Sequence, residues 1–404
     1  MPPRLLRQIG GKKGVTMPSS YDYEFLNYPK IISGKCALEN IPAELAGYDA
    51  QKPLVIARKS LSKNRALIKN FIRAFADSMV IFGAIYDEAE DYAGISLARD
   101  AAFLFKERGC DSLIALGSGA AVDLAKAVNV LVSEKADNLS AYYDGKEIKG
   151  ILKPLIFVPA GRTNGRESAN SLVSDNREIK SDFLYPNVVV IDPRITSTYC
   201  SDDVAESAAI AFTQAFHSFV GNNGNPMITA LAHPALSYLA RYLEQGLKKP
   251  KNKEASVALV NAFVMSSIAY ANAKSGMVNL LADELARVTG ISTGIFMGIL
   301  LPTAIDFLAK EKIKISDELL LAVAGLDRYA AYAAHERGQK GLEASKKLAG
   351  NFYRMLPVSL KELKVQKYIF PEIARAASQK SEGAFSAVDC AEILEASWEK
   401  TSTK

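Results

Sequence analysis

The stretch Leu113–Lys126 reads LIALGSGAAVDLAK. Four apolar residues lead into Gly117-Ser118-Gly119, and a helix-like pattern follows, so the segment is strand, glycine turn, helix. Gly117 and Gly119 let the backbone turn tightly and approach a ligand closely. The helix behind them starts with free N–H groups and the positive end of its dipole, which suit a pyrophosphate. The loop is not the dinucleotide GxGxxG fingerprint, because Val122 holds the third glycine position, and no Gly-Lys-Ser/Thr follows as in a Walker A loop. Taken alone it leaves two readings open: a plain strand-to-helix turn and a phosphate cradle.

Working outward, short apolar runs recur at 53–57 (PLVIA), 78–82 (SMVIF), 112–116 (SLIAL), 155–158 (LIFV) and 188–191 (VVVI), with helical patterns between them, for example over 88–108. Continuous apolar strands separated by helices predict a parallel sheet covered on both faces. After Asp192-Pro193 the pattern turns helical to the end, with breaks at 221–226, near 248–253, at Gly290, near Pro302 and at Pro357. The expected layout is a basic tail over 1–20, an α/β domain over 21–195 and an all-helical domain over 196–404. The long uncharged run between Glu254 and Lys274 contains Asn261, Ser266, Ser267 and Asn272, which favours a buried core helix over a bilayer span.

Composition narrows the class. Of 404 residues, 49% are hydrophobic and 23% charged, as in ordinary globular proteins. The net charge of +5 includes Arg4, Arg7, Lys12 and Lys13 of the tail, leaving +1 for the rest, so nucleic acid is not an expected partner. The tail lacks an apolar signal core; it reads as a disordered arm, with a transit peptide or a start at Met17 as alternatives. Cys36, Cys110, Cys200 and Cys390 are scattered and make no disulfide framework, so reduced, mostly buried thiols and a cytoplasmic setting are expected. The three histidines, His217, His233 and His335, are not spaced as ligands of one metal motif.

Several stretches, in order, resemble the iron-containing (group III) alcohol dehydrogenases. GSGAAVDLAK (117–126) is similar to that family's GGGSxxDxAK loop, and YEFLNYPKIISGKCAL (23–38) to its opening strand. PLIFVPAGRTNGRES (154–168) resembles P-T-T-x-G-T-G-S-E, and YPNVVVIDPRIT (185–196) its L-P-x-x-x-x-x-D-P motif. AESAAIAFTQAFHSF (205–219), GMVNLLADELARVTG (276–290) and STGIFMGILLP (292–302) resemble the segments that carry the family's metal ligands, and SAVDCAEILEASW (386–398) its C-terminal end. The resemblance spans about 21–400. It implies a dehydroquinate synthase-like fold: a nucleotide-binding α/β domain, a helical domain, and an active site in the cleft between them. There a divalent iron or zinc polarises the substrate oxygen while hydride moves to or from nicotinamide. It also implies a homodimer or larger assembly acting on a small-molecule substrate, with no membrane partner.

The four ligand positions that the resemblance assigns are Ile210, Gln214, Asn279 and Thr293, in place of Asp and three His. Ile210 has no ligating atom, and neutral amide or hydroxyl oxygens are poor ligands for iron or zinc, so no catalytic metal is expected. The family's further His falls at Asp283. Preorganised donors can replace part of a metal's work on an oxyanion. Gln214 and Asn279 are the candidate donors, and His217, Asp283 or Lys274 the candidate proton source. Cofactor contacts are expected from Arg58, Gly117, Ser118, Gly119, Ala120, Asp123, Ala160, Gly161 and Asn164. Arg58 stands where NAD-preferring members carry Asp, which favours NADP over NAD. Arg162 and Arg166 add positive charge near the phosphates. Two functions follow: a metal-independent NAD(P)H-dependent oxidoreductase acting on a small alcohol or carbonyl, or a catalytically silent relative that binds a nucleotide or another phosphorylated ligand.

Overall fold

A computed structural model describes residues 23–89, 94–175, 177–221, 225–311 and 315–399. The tail over 1–20, with both candidate start methionines, lies outside the described residues.

Six parallel strands form the main sheet: β1 (Lys30–Ser33), β2 (Pro53–Arg58), β3 (Ala84–Ala89), β4 (Ser112–Gly117), β5 (Leu155–Pro159) and β8 (Val188–Ile191), in the order β1-β8-β5-β4-β2-β3. Their side chains alternate between two cores. Val55, Ile114, Ile156 and Val190 pack on one face against Ile41, Leu45, Leu67 and Phe71. Leu54, Leu113, Phe157 and Val189 join the other core, which runs on without a break into the helical domain. Burial on both faces is why these strands read as unbroken apolar runs rather than as alternating ones.

One expected strand is displaced. The run 78–82 is not a strand; the edge strand is Ala84–Ala89, with Met79 81% and Ile81 71% exposed. An edge strand needs less apolar content than a central one, so the acidic AIYDEA segment pairs with β2 while the more apolar run before it leads in. The helix expected over 88–108 accordingly starts later, at Ile95, and ends at Glu107. A two-stranded antiparallel hairpin, β6 (Ser171–Ser174) with β7 (Arg177–Lys180), was not anticipated.

In the helical half, boundaries follow the capping chemistry. Asn225 caps the helix Pro226–Lys248, Asn252 caps Lys253–Ala271, and Gly290 ends Met277–Thr289 in the left-handed region at φ 73°. Pro302 does not break its helix as expected: it lies inside Thr293–Lys310, whose residues 296–302 are buried. That burial offsets a cost of about 3 kcal/mol for an interior proline. Lys253–Ala271 and Thr293–Lys310 are long and apolar enough to cross a membrane by length and composition, but 67% and 56% of their apolar windows are buried inside the fold. All four cysteines are free; Cys110 and Cys390 are buried, whereas Cys36 and Cys200 are exposed, contrary to the expectation of mostly buried thiols. Cys200 ends up at the surface because it caps the helix Ser201–Val220.

Candidate active site

The chain leaves β2 in one direction along the sheet, to β3, and returns to its other side at β4, so the topological switch point lies between the carboxyl ends of β2 and β4. Gly117 and Arg58 meet there: a Cβ built on Gly117 would lie 3.8 Å from the Arg58 backbone nitrogen and 2.9 Å from the Ala121 Cβ. Ser118 is the N-cap of the helix Gly119–Ser133, and its Oγ is buried with no hydrogen-bond partner. The N–H groups of Ser118 and Ala120 find no acceptor among the described residues, whereas the Gly119 N–H donates to the Arg162 carbonyl at 3.0 Å. An open helix N-terminus with two unspent N–H groups and an unpartnered hydroxyl suits a diphosphate.

The other expected cofactor residues divide. Ala160 is buried, its N–H on the Gly117 carbonyl at 2.8 Å. Gly161, at φ +97°, passes over Ser118, with a built Cβ 3.9 Å from the Ser118 Cβ. Both shape the cradle with backbone. Asp123 and Asn164 face inward, toward each other. Asn164 Nδ2 donates to Asp123 Oδ2 at 2.7 Å, and Asn164 Oδ1 accepts from the Arg166 N–H at 2.9 Å. A Cβ on Gly119 would strike Asn164 at 2.2 Å, so glycine is required there for the loop to close on the helix. Burial pushes the Asp123 carboxyl up to about 6, against the pull of Arg166 and Lys126. Lys126, also buried, donates to the carbonyls of Arg166, Ala169 and Ser171 at 2.8–2.9 Å. Asp123 and Asn164 therefore hold the loop over 160–168, while Asp123 Oδ1 is buried with no partner.

That loop is the bridge to the helical domain. The Thr163 N–H donates to Ser207 Oγ at 3.1 Å. The Gly165 carbonyl accepts from Gln214 Nε2 at 2.9 Å and from Ser267 Oγ at 3.1 Å. Arg162 Nη1 pairs with Glu206 at 3.0 Å, and its Nε lies 3.7 Å from Asp203. Burial raises the Glu206 carboxyl above its ordinary value although Ser292 and Arg162 oppose it. Arg166 Nη1 lies 3.9 Å from Asp283. Of these partners Asp203 and Ser267 lie outside the motif segments read in the sequence, and Glu206 and Ser207 lie within one but were not singled out.

The expected catalytic residues come out differently from one another. Gln214 Nε2 donates to the Gly165 carbonyl and so helps hold the loop, while its Oε1 is buried with no partner. Asn279, 1% exposed, has neither amide atom partnered. A Cβ on Gly276 would fall 2.6 Å from His217 Nδ1 and 2.8 Å from Asn279 Oδ1, so these two groups line one slot that only glycine leaves open. His217 Nε2 is 2.9 Å from the Lys274 carbonyl, which only accepts; Nε2 therefore carries the proton and Nδ1 the lone pair. Burial holds the imidazole below its ordinary pKa, hence neutral. The Lys274 side chain is exposed, while its carbonyl turns inward to His217. Asp283 stands on the cleft wall with its side chain 46% exposed, and burial raises its carboxyl against the pull of Arg166.

The four family ligand positions can be tested against a metal. Ile210 lies between two glycines: its Cγ2 is 2.6 Å from a Cβ built on Gly165 and its Cδ1 3.2 Å from one on Gly294. A hydrocarbon thus fills the position that the resemblance assigns to a carboxylate ligand. Gln214 and Asn279 offer neutral amides, and Thr293, half-buried, a hydroxyl at the start of its helix. Among the described residues no group of three or more His, Cys, Asp or Glu is arranged to hold a metal ion. This donor set does not fit iron or zinc.

Glycine cradle, switch-point cleft and helical partner domain together have the layout of a dinucleotide-linked enzyme. The profile described as "Iron-containing alcohol dehydrogenase" matches residues 29–193, and that of the "Fe-containing alcohol dehydrogenase family, C-terminal" matches 204–396. The chain belongs to the iron-containing alcohol dehydrogenase family. It is 23% identical over 335 residues to the NAD-dependent methanol dehydrogenase of Bacillus methanolicus, covering 80% of this chain and 86% of that protein. It is 24% identical over 302 residues to 1,3-propanediol dehydrogenase of Klebsiella pneumoniae, covering 73% and 76%. The alcohol dehydrogenase of Oenococcus oeni superposes with a TM-score of 0.82 at 20% identity, over 93% of this chain and 100% of that one.

Proposed function

We propose that this chain is an NAD(P)H-dependent oxidoreductase that interconverts a small alcohol and its carbonyl compound without a catalytic metal. The observation that carries this reading is the juxtaposition of an open phosphate cradle at Ser118 and Ala120 with a cleft whose metal-ligand positions hold a buried isoleucine and neutral amides. A bound nicotinamide dinucleotide supplies or accepts the hydride. Its diphosphate rests on the Ser118 and Ala120 N–H groups and the Ser118 hydroxyl. Arg58, at the end of β2, takes the ribose 2′-phosphate, which supports NADP over NAD; the methanol dehydrogenase relative is named as NAD-dependent, so this is a departure from it.

The chain's own residues do the rest. Asn279 donates a hydrogen bond to the substrate oxygen, and neutral His217 closes the slot beside it with its Nδ1 lone pair. Gln214 and Ser267 fix Gly165, so the loop between the domains keeps its distance from the reacting centre. Asp283, reachable by water, passes a proton to or from that oxygen. The relatives named for methanol, 1,3-propanediol and 4-hydroxybutyrate support a small alcohol or its carbonyl compound as substrate. Fluorescence titration with NADPH and NADH tests the reading. Binding of NADPH in the micromolar range, tighter than NADH, is expected; no binding of either at near-millimolar concentration refutes it.

A further inference from the structure

Among the described residues two guanidiniums at the cleft, Arg162 and Arg166, have a buried Nε with no partner, and of the two only Arg166 has no ion pair shorter than 3.9 Å. Arg162, four residues earlier, is committed to Glu206 at 3.0 Å. Among the described residues the Arg166 guanidinium donates no hydrogen bond: its Nε is buried without a partner, and its only ion pair, with Asp283, is long at 3.9 Å. Its side chain is 24% exposed, so most of this five-donor fork is out of water. A buried group of this kind calls for an acceptor.

Its backbone fixes where that acceptor sits. The Arg166 carbonyl is held by Lys126 and its N–H by Asn164. The preceding residue, Gly165, packs on Ile210 and Gln214. The side chain then reaches toward Asp283, one helical turn beyond Asn279 on the same face of its helix. Arg166 thus stands between Gly165, which packs on Ile210 and Gln214, and Asp283, one turn from Asn279, so a cation lies beside amides that can offer only uncharged donors.

We propose that Arg166 is a catalytic residue that supplies the positive charge on the substrate's carbonyl oxygen, with Asp283 beside it as proton donor. This rests on the oxidoreductase reading above. In the reducing direction the carbonyl carbon gains a hydride supplied by a reduced nicotinamide dinucleotide, and the C=O π pair moves onto oxygen. The guanidinium stabilises that charge as it develops. The Asp283 O–H bond breaks, its proton forms the product hydroxyl, and the carboxylate regains a proton from water. The carboxylates around Arg166 do not repel a neutral substrate, and they keep the guanidinium charged: burial opposes its charge, but Asp123, Asp283, Glu178 and Glu167 outweigh it. The groups that face Asp283 are Arg166 from the loop, Glu178 from β7, Lys380 from the helix Phe370–Lys380, Tyr270 from Lys253–Ala271 and Glu284 from its own helix.

The test compares wild type with Arg166→Gln, Arg166→Lys and Arg166→Ala in two assays. In turnover of an uncharged aldehyde with NADPH, Arg166→Gln should lose about 10²–10³-fold in kcat/KM, with NADPH affinity within about twofold and the melting temperature preserved. Arg166→Lys should retain part of the rate, and added guanidinium should restore part of it to Arg166→Ala. The second assay needs no turnover: calorimetric titration with acetate, whose oxygens mimic the oxyanion, should show binding to wild type that Arg166→Gln abolishes. Equal acetate binding by wild type and Arg166→Gln, no acetate binding by wild type, or a rate that falls less than threefold would overturn the proposal. Failure of the oxidoreductase reading shows separately, as absent NADPH binding.

Discussion

Gly165→Ala tests how the two domains are joined. Gly165 sits at φ +73°, where a non-glycine residue costs about 1–2 kcal/mol. The added Cβ would meet Gln214 Nε2 at 2.4 Å and Ile210 Cγ2 at 2.6 Å, against an ordinary contact of at least 3.4 Å, so one side must retreat by about 1 Å. Overpacking of this kind costs about 1–3 kcal/mol, which brings the total to about 3 kcal/mol. Gln214→Ala alone removes one hydrogen bond to the Gly165 carbonyl while Ser267 keeps the other, at about 1 kcal/mol. In the double variant the clash with Gln214 is gone, so the losses should fall short of additivity by about 1 kcal/mol. Urea unfolding of the wild type, both single variants and the double variant measures all four states. A Gly165→Ala loss below about 0.5 kcal/mol, or strict additivity, would refute the packing of Gly165 on Gln214 and Ile210.

Other predictions follow from the same geometry. Arg58→Ala should weaken NADPH binding about tenfold or more and leave NADH nearly unchanged; equal effects on both would remove the 2′-phosphate assignment. Asp192 is fully buried where it caps the helix Pro193–Thr196. Burial opposes its ionisation, but hydrogen bonds from Arg194 and the Leu38 N–H outweigh this and hold the carboxyl below its ordinary value. A depressed folded pKa contributes stability above the unfolded value, near pH 4, that is lost as pH falls through the folded value. The stability difference between wild type and Asp192→Asn should therefore be constant from pH 7 to about 5 and shrink toward pH 3. A difference that stays constant to pH 3 would contradict this.

Much of the framework was legible in the sequence because it rests on local signals. β2, β4, β5 and β8 are unbroken apolar runs, and the helix ends at Val220, Lys248 and Thr289 are marked by Gly, Asn or Pro. What failed was set by tertiary context. Pro302 is tolerated because a buried helix absorbs its missing bond, and the edge strand shifted from 78–82 to 84–89 because an edge needs little apolar content. The cradle over 117–120 was readable as a motif. The commitments of Gln214 to Gly165, Asn164 to Asp123 and Lys274's carbonyl to His217 were not, since each joins residues 41–57 positions apart whose side chains carry no mutual pattern. Arg166 was visible as an added charge, but its lack of hydrogen-bond partners is a property of the fold alone.

The central claim, hydride chemistry without a catalytic metal, is tested most directly on chelator-stripped protein whose metal content is measured alongside its NADPH-dependent reduction of a small aldehyde. Full activity with far less than one equivalent of iron or zinc, and no gain when either is restored, is the predicted result. Activity that disappears with the metal and returns at one equivalent would contradict the account.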